Sequence, residues 1–300
     1  MKIRYFACAL GLSIGFCAAV QAQQGTLDKI RAGGSITLGH RDASIPFSYL
    51  DGEQKPVGYA MDLCLKIVDA VKEELKMPNL KVNFQPITPA TRIPLLANGT
   101  IDLECGATTN TADRQKQITF TVTHYVAANR FVSKKADNLN TLEDLKGKTI
   151  VSTSGTTNVK QANELNTERK LGMRILNAKD HAEAFLMVDT GRALAFVMDD
   201  IQLAGFVANH ANPALFTISP DALSVEPFGI MLRKDDPAFK KVVDAAMVNL
   251  YKSGGLTAIY DKWFMKPIPP RNIVMNIPMS DAMKRVVANP TDSSDPNVYK

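Results

Sequence analysis

The sequence predicts an α/β protein of two lobes, each a mostly parallel sheet flanked by helices, with two crossing strands joining them. Three observations carry that prediction. Strand-like and helix-like segments alternate in two successive sets, which implies parallel strands with helices on both faces. Each set is followed by an extended apolar stretch without a turn residue, YVAANRFVSKK at 125–135 and VEPFGIMLRK at 225–234. The length of 300 residues, or 278 once a leader of 22 is removed, suits two domains better than one.

The first set opens with a strand over 35–40. A helix follows from about 58 to 76, where Cys64, Ile67, Val68, Val71 and Leu75 form an apolar stripe opposite Asp62, Lys66, Asp69, Glu73 and Lys76. A strand over 81–86, a short helix ending at Asn98 and a strand over 100–105 complete the set. Thr88 reads as the N-cap of the short helix, Pro89 as its first residue and Gly99 as its stop. The run TTNTADR then reads as a loop of hydroxyl residues and a helix start at Thr111.

The second set begins with a capping box, Thr141 to Asp144, and Gly147 as its terminator. It continues with a strand over 149–153, a turn over 154–157 and a helix. A strand over 173–176, a helix from Asp180, a stop at Gly191 and a strand over 193–198 finish it. A helix from Pro237 to about Ser253, ended by Gly254, returns to the first lobe. The tail from Pro267 onward is rich in Pro, Asn and Asp and reads as loosely packed.

At the N-terminus, Lys2 and Arg4 precede an uncharged apolar run over 5–20, and Val20-Gln21-Ala22 offers small residues before a cut. Residues 1–22 read as a secretory signal peptide. No later segment is apolar enough to span a bilayer, so an exported, soluble product is expected. A composition of 45% hydrophobic and 22% charged residues fits a globular chain. The formal charge of +5 includes Lys2 and Arg4, and their removal leaves +3. Lysines are scattered, with no basic block interleaved with aromatics, which argues against nucleic acid.

Cys8 and Cys17 leave with the leader, so Cys64 and Cys105 remain. An oxidising compartment permits a bridge between them; two small buried residues are the alternative. His40, His124, His181 and His210 lack metal-ligand spacing, and neither a G-x-S-x-G elbow nor a phosphate-type glycine loop is present. No metal, cofactor or catalytic activity is expected.

The candidate site is a carboxylate site. Helix N-termini and planar guanidinium forks both suit a planar anion, and the loop before Thr111 brings hydroxyls, backbone N–H groups and Arg114 around one point. Arg41 in GHRDASIPFSY and Arg92 in ITPATRIPLL stand in similar contexts. Three such arginines imply a ligand with more than one carboxylate. Arg114 in a first helical turn opposes the helix dipole, which favours a functional reason for it. Duller readings stand beside these: a solvated charge for Arg41 or Arg92, a capping role for His181, and a helix cap for Asp199.

The stretches GHRDASIPFSY, RIPLLANGTIDLECGATTNTADRQKQ, DLKGKTIVSTSGTT, MRILNAKDH, FVMDD, FGIMLRKDDPAFKK and DKWFMKPIPPRN carry a resemblance. The chain resembles the periplasmic amino-acid-binding proteins of ABC importers, solute-binding protein family 3, and within it the members that bind acidic amino acids. The resemblance implies a type II periplasmic binding protein fold, with 23–127 and 227–300 as the first lobe and 128–226 as the second. It implies a periplasmic monomer that captures L-glutamate and L-aspartate by lobe closure and delivers them to an inner-membrane ABC permease.

By the same resemblance Arg114 and Thr109 take the ligand α-carboxylate, Asp199 the α-ammonium, and Arg41, Arg92 and His181 the side-chain carboxylate, while Thr157 closes from the second lobe. Pro89 and Ala107 depart from the family pattern, which has serines there; Pro89 also lacks an N–H. Two alternatives stay open: a dehydratase on the same fold, similar to cyclohexadienyl dehydratase, with His181 or Glu104 as acid or base, and a binder of a polar amide such as glutamine.

Overall fold

A computed structural model describes residues 24–300. The signal-peptide reading of residues 1–22, with Cys8 and Cys17, lies outside the described residues. The first lobe opens with α1 (Thr26–Gly33) and β1 (Ser35–His40), then a small hairpin sheet of β2 (Ala43–Ser44), β3 (Ser48–Leu50) and β4 (Pro56–Val57). Next come α2 (Tyr59–Leu75), β5 (Lys81–Pro86), α3 (Arg92–Ala97), β6 (Leu103–Glu104), α4 (Ala112–Gln115) and β7 (Ile118–Phe120). The crossing strand β8 (Tyr125–Lys134) leads to β9 (Thr149–Thr153), α5 (Thr157–Glu168), β10 (Arg174–Ala178), α6 (His181–Asp189), β11 (Ala195–Asp199), α7 (Asp200–Asn209) and β12 (Phe216–Ile218). The chain returns through β13 (Ser224–Phe228) and β14 (Met231–Arg233) to α8 (Pro237–Lys252), α9 (Gly255–Phe264) and α10 (Asp281–Ala288).

Two main sheets result, in the orders β5-β1-β6-β14-β7 and β10-β9-β11-β8-β12, with β13 also paired to β8. The β-α-β units supply the parallel pairs β1–β5, β1–β6, β9–β10 and β9–β11. The crossing segments join antiparallel, so each sheet is mixed. β8 and β13 also pair with each other, Tyr125 opposite Phe228 and Asn129 opposite Ser224, which makes a two-stranded ribbon between the lobes.

The second extended stretch is two strands rather than one, interrupted at Gly229-Ile230. There Gly229 N–H bonds the Thr108 carbonyl and Thr121 N–H the Ile230 carbonyl. The ribbon is rooted in aromatic packing on the first lobe, where Tyr125 stacks on Phe264 at 5.2 Å and Phe47 meets Tyr125 edge-on at 5.1 Å. Tyr59 and Tyr251 donate their hydroxyls to the carbonyls of His124 and Thr123.

Three expectations need correction. The helix placed after Thr88 starts instead at Arg92, with Thr91 as N-cap. The Thr88 carbonyl accepts from both Thr91 and Arg92 N–H, so Pro89 and Ala90 form a preceding turn. The capping box at Thr141 forms reciprocally, yet over a single 3-10 turn, Glu143–Leu145. The tail is not loose: α10 buries Met283 and Val286, and Tyr299 is buried near the chain end.

Cys64 and Cys105 are bridged, Cα to Cα 6.1 Å, tying α2 to the end of β6 across 41 residues of chain. Closing a loop of that length restricts the unfolded chain by about 4 kcal/mol in the chain-entropy view. Among the described residues no helix is long and apolar enough to cross a membrane, and no group of His, Cys, Asp and Glu is placed to hold a metal.

Candidate functional site

Arg41 follows β1 and is 2% exposed; its Nη1 has no protein partner. Arg92 opens α3, equally buried. Its Nη1 donates to the Thr108 hydroxyl at 2.5 Å and the Ala107 carbonyl at 3.4 Å, its Nη2 to the Gly155 carbonyl at 3.5 Å, and its Nε to nothing. Arg114 lies in α4, which Thr111 caps by accepting the Arg114 N–H. Its Nη1 donates to the Thr109 carbonyl at 2.8 Å and its Nη2 to the Gly155 carbonyl at 3.3 Å.

The second lobe faces these with three helix starts. Thr157 opens α5 behind the N-cap Thr156, and His181 opens α6 behind the N-cap Asp180. Asp199 ends β11 where α7 begins, but its side chain does not cap that helix. Its carboxylate accepts from Asn158 at 2.9 Å instead. The His181 Nδ1 shares a 2.8 Å hydrogen bond with the Thr153 hydroxyl.

Across the cleft the Thr109 and Thr157 hydroxyls are 3.3 Å apart, and Thr157 donates to Glu226 at 3.0 Å. With its single proton committed to a carboxylate, Thr157 accepts from Thr109. All seven expected residues are thus brought together: two hydroxyls in contact, and five charged or ring side chains near enough to perturb one another.

The electrostatics of the first-lobe side are cationic. Burial and the neighbouring Arg92 push Arg41 and Arg114 down to about 9, still charged at neutral pH. Burial, then Arg41 and Arg92, hold His181 well below its ordinary value, so it is a neutral imidazole. Burial and Glu226 raise Asp199 well above the carboxylate range. Among the described residues none of the three guanidiniums has a direct carboxylate partner; those of Arg92 and Arg114 bond neutral oxygens. The buried Glu104 acts on all three only from a distance, and burying a charge without a directly paired counter-ion costs several kcal/mol. A ligand with two carboxylates and an ammonium would match three guanidiniums on one side and the Asp199 carboxyl on the other.

Sequence reasoning missed several members. Glu226 sits on the crossing strand β13, its importance set by a partner 69 residues away. The one signal was a carboxylate inside an otherwise apolar stretch. Thr108 relays Arg92 to Glu104, donating to that carboxylate at 2.8 Å. Asn158 orients Asp199 and also bonds Asn129 on β8.

The chain is similar to known proteins over most of its length. The sequence profile of the bacterial extracellular solute-binding proteins, family 3, matches residues 36–266. An L-glutamate/L-aspartate-binding protein of Pseudomonas aeruginosa is 51% identical over 271 residues, covering 90% of both chains. A glutamate/aspartate import solute-binding protein of Salmonella typhimurium is 46% identical, covering 98% of this chain and 99% of that one. Among solved structures, an ancestral arginine-binding protein bound to arginine superposes with a TM-score of 0.70 at 30% identity, covering 77% of this chain and 98% of its own.

Proposed function

The chain belongs to the bacterial extracellular solute-binding proteins of family 3, and we propose that it captures L-glutamate and L-aspartate between its lobes as the binding component of an ABC importer. It is a binding protein and not an enzyme, in line with relatives that share about half of its residues. The observation that carries the ligand assignment is the set of three buried guanidiniums without a direct carboxylate partner, Arg92 and Arg114 bonded to neutral oxygens and Arg41 with an unpartnered Nη1.

In this reading the lobes are 23–127 with 227–300 and 128–226, and the chain works in the periplasm as a monomer, behind a cleaved leader, with an inner-membrane ABC permease as its partner. Arg114 and the Thr109 loop take the α-carboxylate, and Asp199 takes the α-ammonium. Arg41, Arg92 and His181 face the side-chain carboxylate, His181 as a neutral donor, and Thr157 closes the second lobe over the head group. Pro89 and Ala107 contribute no hydroxyl here, which leaves recognition to the guanidiniums.

Calorimetry with L-glutamate, L-aspartate and L-glutamine tests the assignment on the wild type and on an Arg41→Ala/Arg92→Ala double variant. The wild type should bind both acids tightly and the amide weakly. In the variant the preference for acid over amide should collapse, because a buried side-chain carboxylate then lacks a counter-charge at a cost of about 3–5 kcal/mol, whereas the amide carries no such charge. Equal fractional losses for acids and amide would move these arginines out of the side-chain pocket.

A further inference from the structure

We propose that the C-terminal segment 267–300 is a strap that positions the loop carrying Thr109 and Arg114 and thereby sets the affinity for the ligand head group. The inference rests on the proposed role of that loop. The family profile matches residues 36–266, and the segment lies beyond that match. It runs from α9 back to the cleft, with α10 capped by Ser280 and seated through Met283 and Val286.

Its last residues then reach the hinge. Thr123, just before β8, donates its N–H to the Thr291 carbonyl at 2.7 Å, and its hydroxyl pairs with the Tyr299 hydroxyl at 2.8 Å. Tyr299 also bonds the Ser293 carbonyl, folding the strap's end onto itself.

The decisive contact is at residue 110. Asn110 is 1% exposed and adjoins Thr109. Its Nδ2 donates to the Asp292 main-chain carbonyl at 2.8 Å, its N–H to Pro227 on β13 at 2.7 Å, and its Oδ1 accepts from Gln115 at 2.9 Å. Gln115 reaches the same Asp292 carbonyl at 3.4 Å. One asparagine therefore joins the strap, a crossing strand and α4.

α4 is only four residues long. A single helical turn has no stability of its own and takes its order from tertiary contacts. The strap supplies such contacts to Asn110 and Gln115, and Arg114 is the residue next to Gln115. Asn110 and Tyr299 are thus positioning residues, acting through Thr109 and Arg114 without touching ligand.

The test uses the full chain and calorimetry with L-glutamate and L-aspartate, well below the melting temperature of each variant. Asn110→Ala removes the loop's bond to the strap, and Tyr299→Ala unseats the strap from a distance. Each should weaken both ligands by the same factor, about threefold to tenfold, as expected for a lost buried hydrogen bond at a group common to both. Val298→Ala, at an exposed side chain of the same segment, should bind as the wild type does. Lower melting temperatures with unchanged affinity in Asn110→Ala and Tyr299→Ala would overturn the inference, reducing the strap to a stability element. So would unequal losses for the two acids. Failure of the wild type itself to bind either acid would overturn the functional reading beneath it, and this inference with it.

Discussion

His124 stands at the head of the first crossing strand with both ring nitrogens buried and without protein partners. Burial pushes it down to about 3, so it is neutral in the fold, whereas in the unfolded chain it takes a proton near 6.5. Below pH 6.5 the unfolded chain binds more protons, and stability must fall as the pH falls, by up to about 1.4 kcal/mol per pH unit for one histidine. His181 is depressed in the same direction and adds to the slope. Urea melts at pH 6.5 and at pH 5 should show His124→Gln losing about 1.5 kcal/mol less than the wild type over that interval; equal losses would place His124 in contact with water. Residue identity made part of the site legible in advance. Arg114 was visible because a cation in a first helical turn is locally unfavourable. Glu226 and Asn158 were not, because what makes them matter is contact with segments 69 and 41 residues away.

Among elements, the turn between β9 and α5 carries a close approach of the two lobes. Gly155 adopts φ +77°, and a Cβ there would lie 2.7 Å from both the N and Cα of Ala90 on the first lobe. Gly155→Ala carries a left-handed backbone penalty of about 1–2 kcal/mol whether the lobes are apart or together, and that part cancels in binding. The steric part exists only when they meet. Overpacking of this kind costs about 1–3 kcal/mol, which predicts a loss of affinity of roughly fivefold to a hundredfold without loss of fold. Calorimetry and circular dichroism on the variant check it; unchanged affinity would mean that the lobes need not approach this closely.

Strands β1, β5 and β9 were legible to the residue because apolar residues, alternating in β1 and β5 and adjacent in β9, are closed off by Gly, Pro or hydroxyl residues. The start of α3 was misplaced because a carbonyl shared by two N–H groups decides it, and composition says nothing about that. The tail misled for a similar reason: its Pro, Asn and Asp content hides three apolar anchors spaced over seventeen residues, Met283, Val286 and Tyr299.

At the scale of the whole molecule, the two lobes meet through a few direct contacts. Gln202 donates to the Ser44 hydroxyl, Lys160 pairs with Asp113 at 3.2 Å, and the two threonine hydroxyls touch. The Lys160 pair is exposed and contributes little. Against these stand three guanidiniums that lose water on closure. On the proposed function a ligand carboxylate would reverse that balance, and ligand is expected to shift the population towards the closed form because only that form would engage both sets of contacts.

The most direct test of this account is solution scattering of the full chain with and without saturating L-glutamate. The account predicts a smaller radius of gyration with glutamate for the wild type and no change for Arg114→Ala, which lacks the grip on the α-carboxylate. A wild-type radius that stays the same on saturation would contradict it, leaving a rigid pocket in place of a closing clamp.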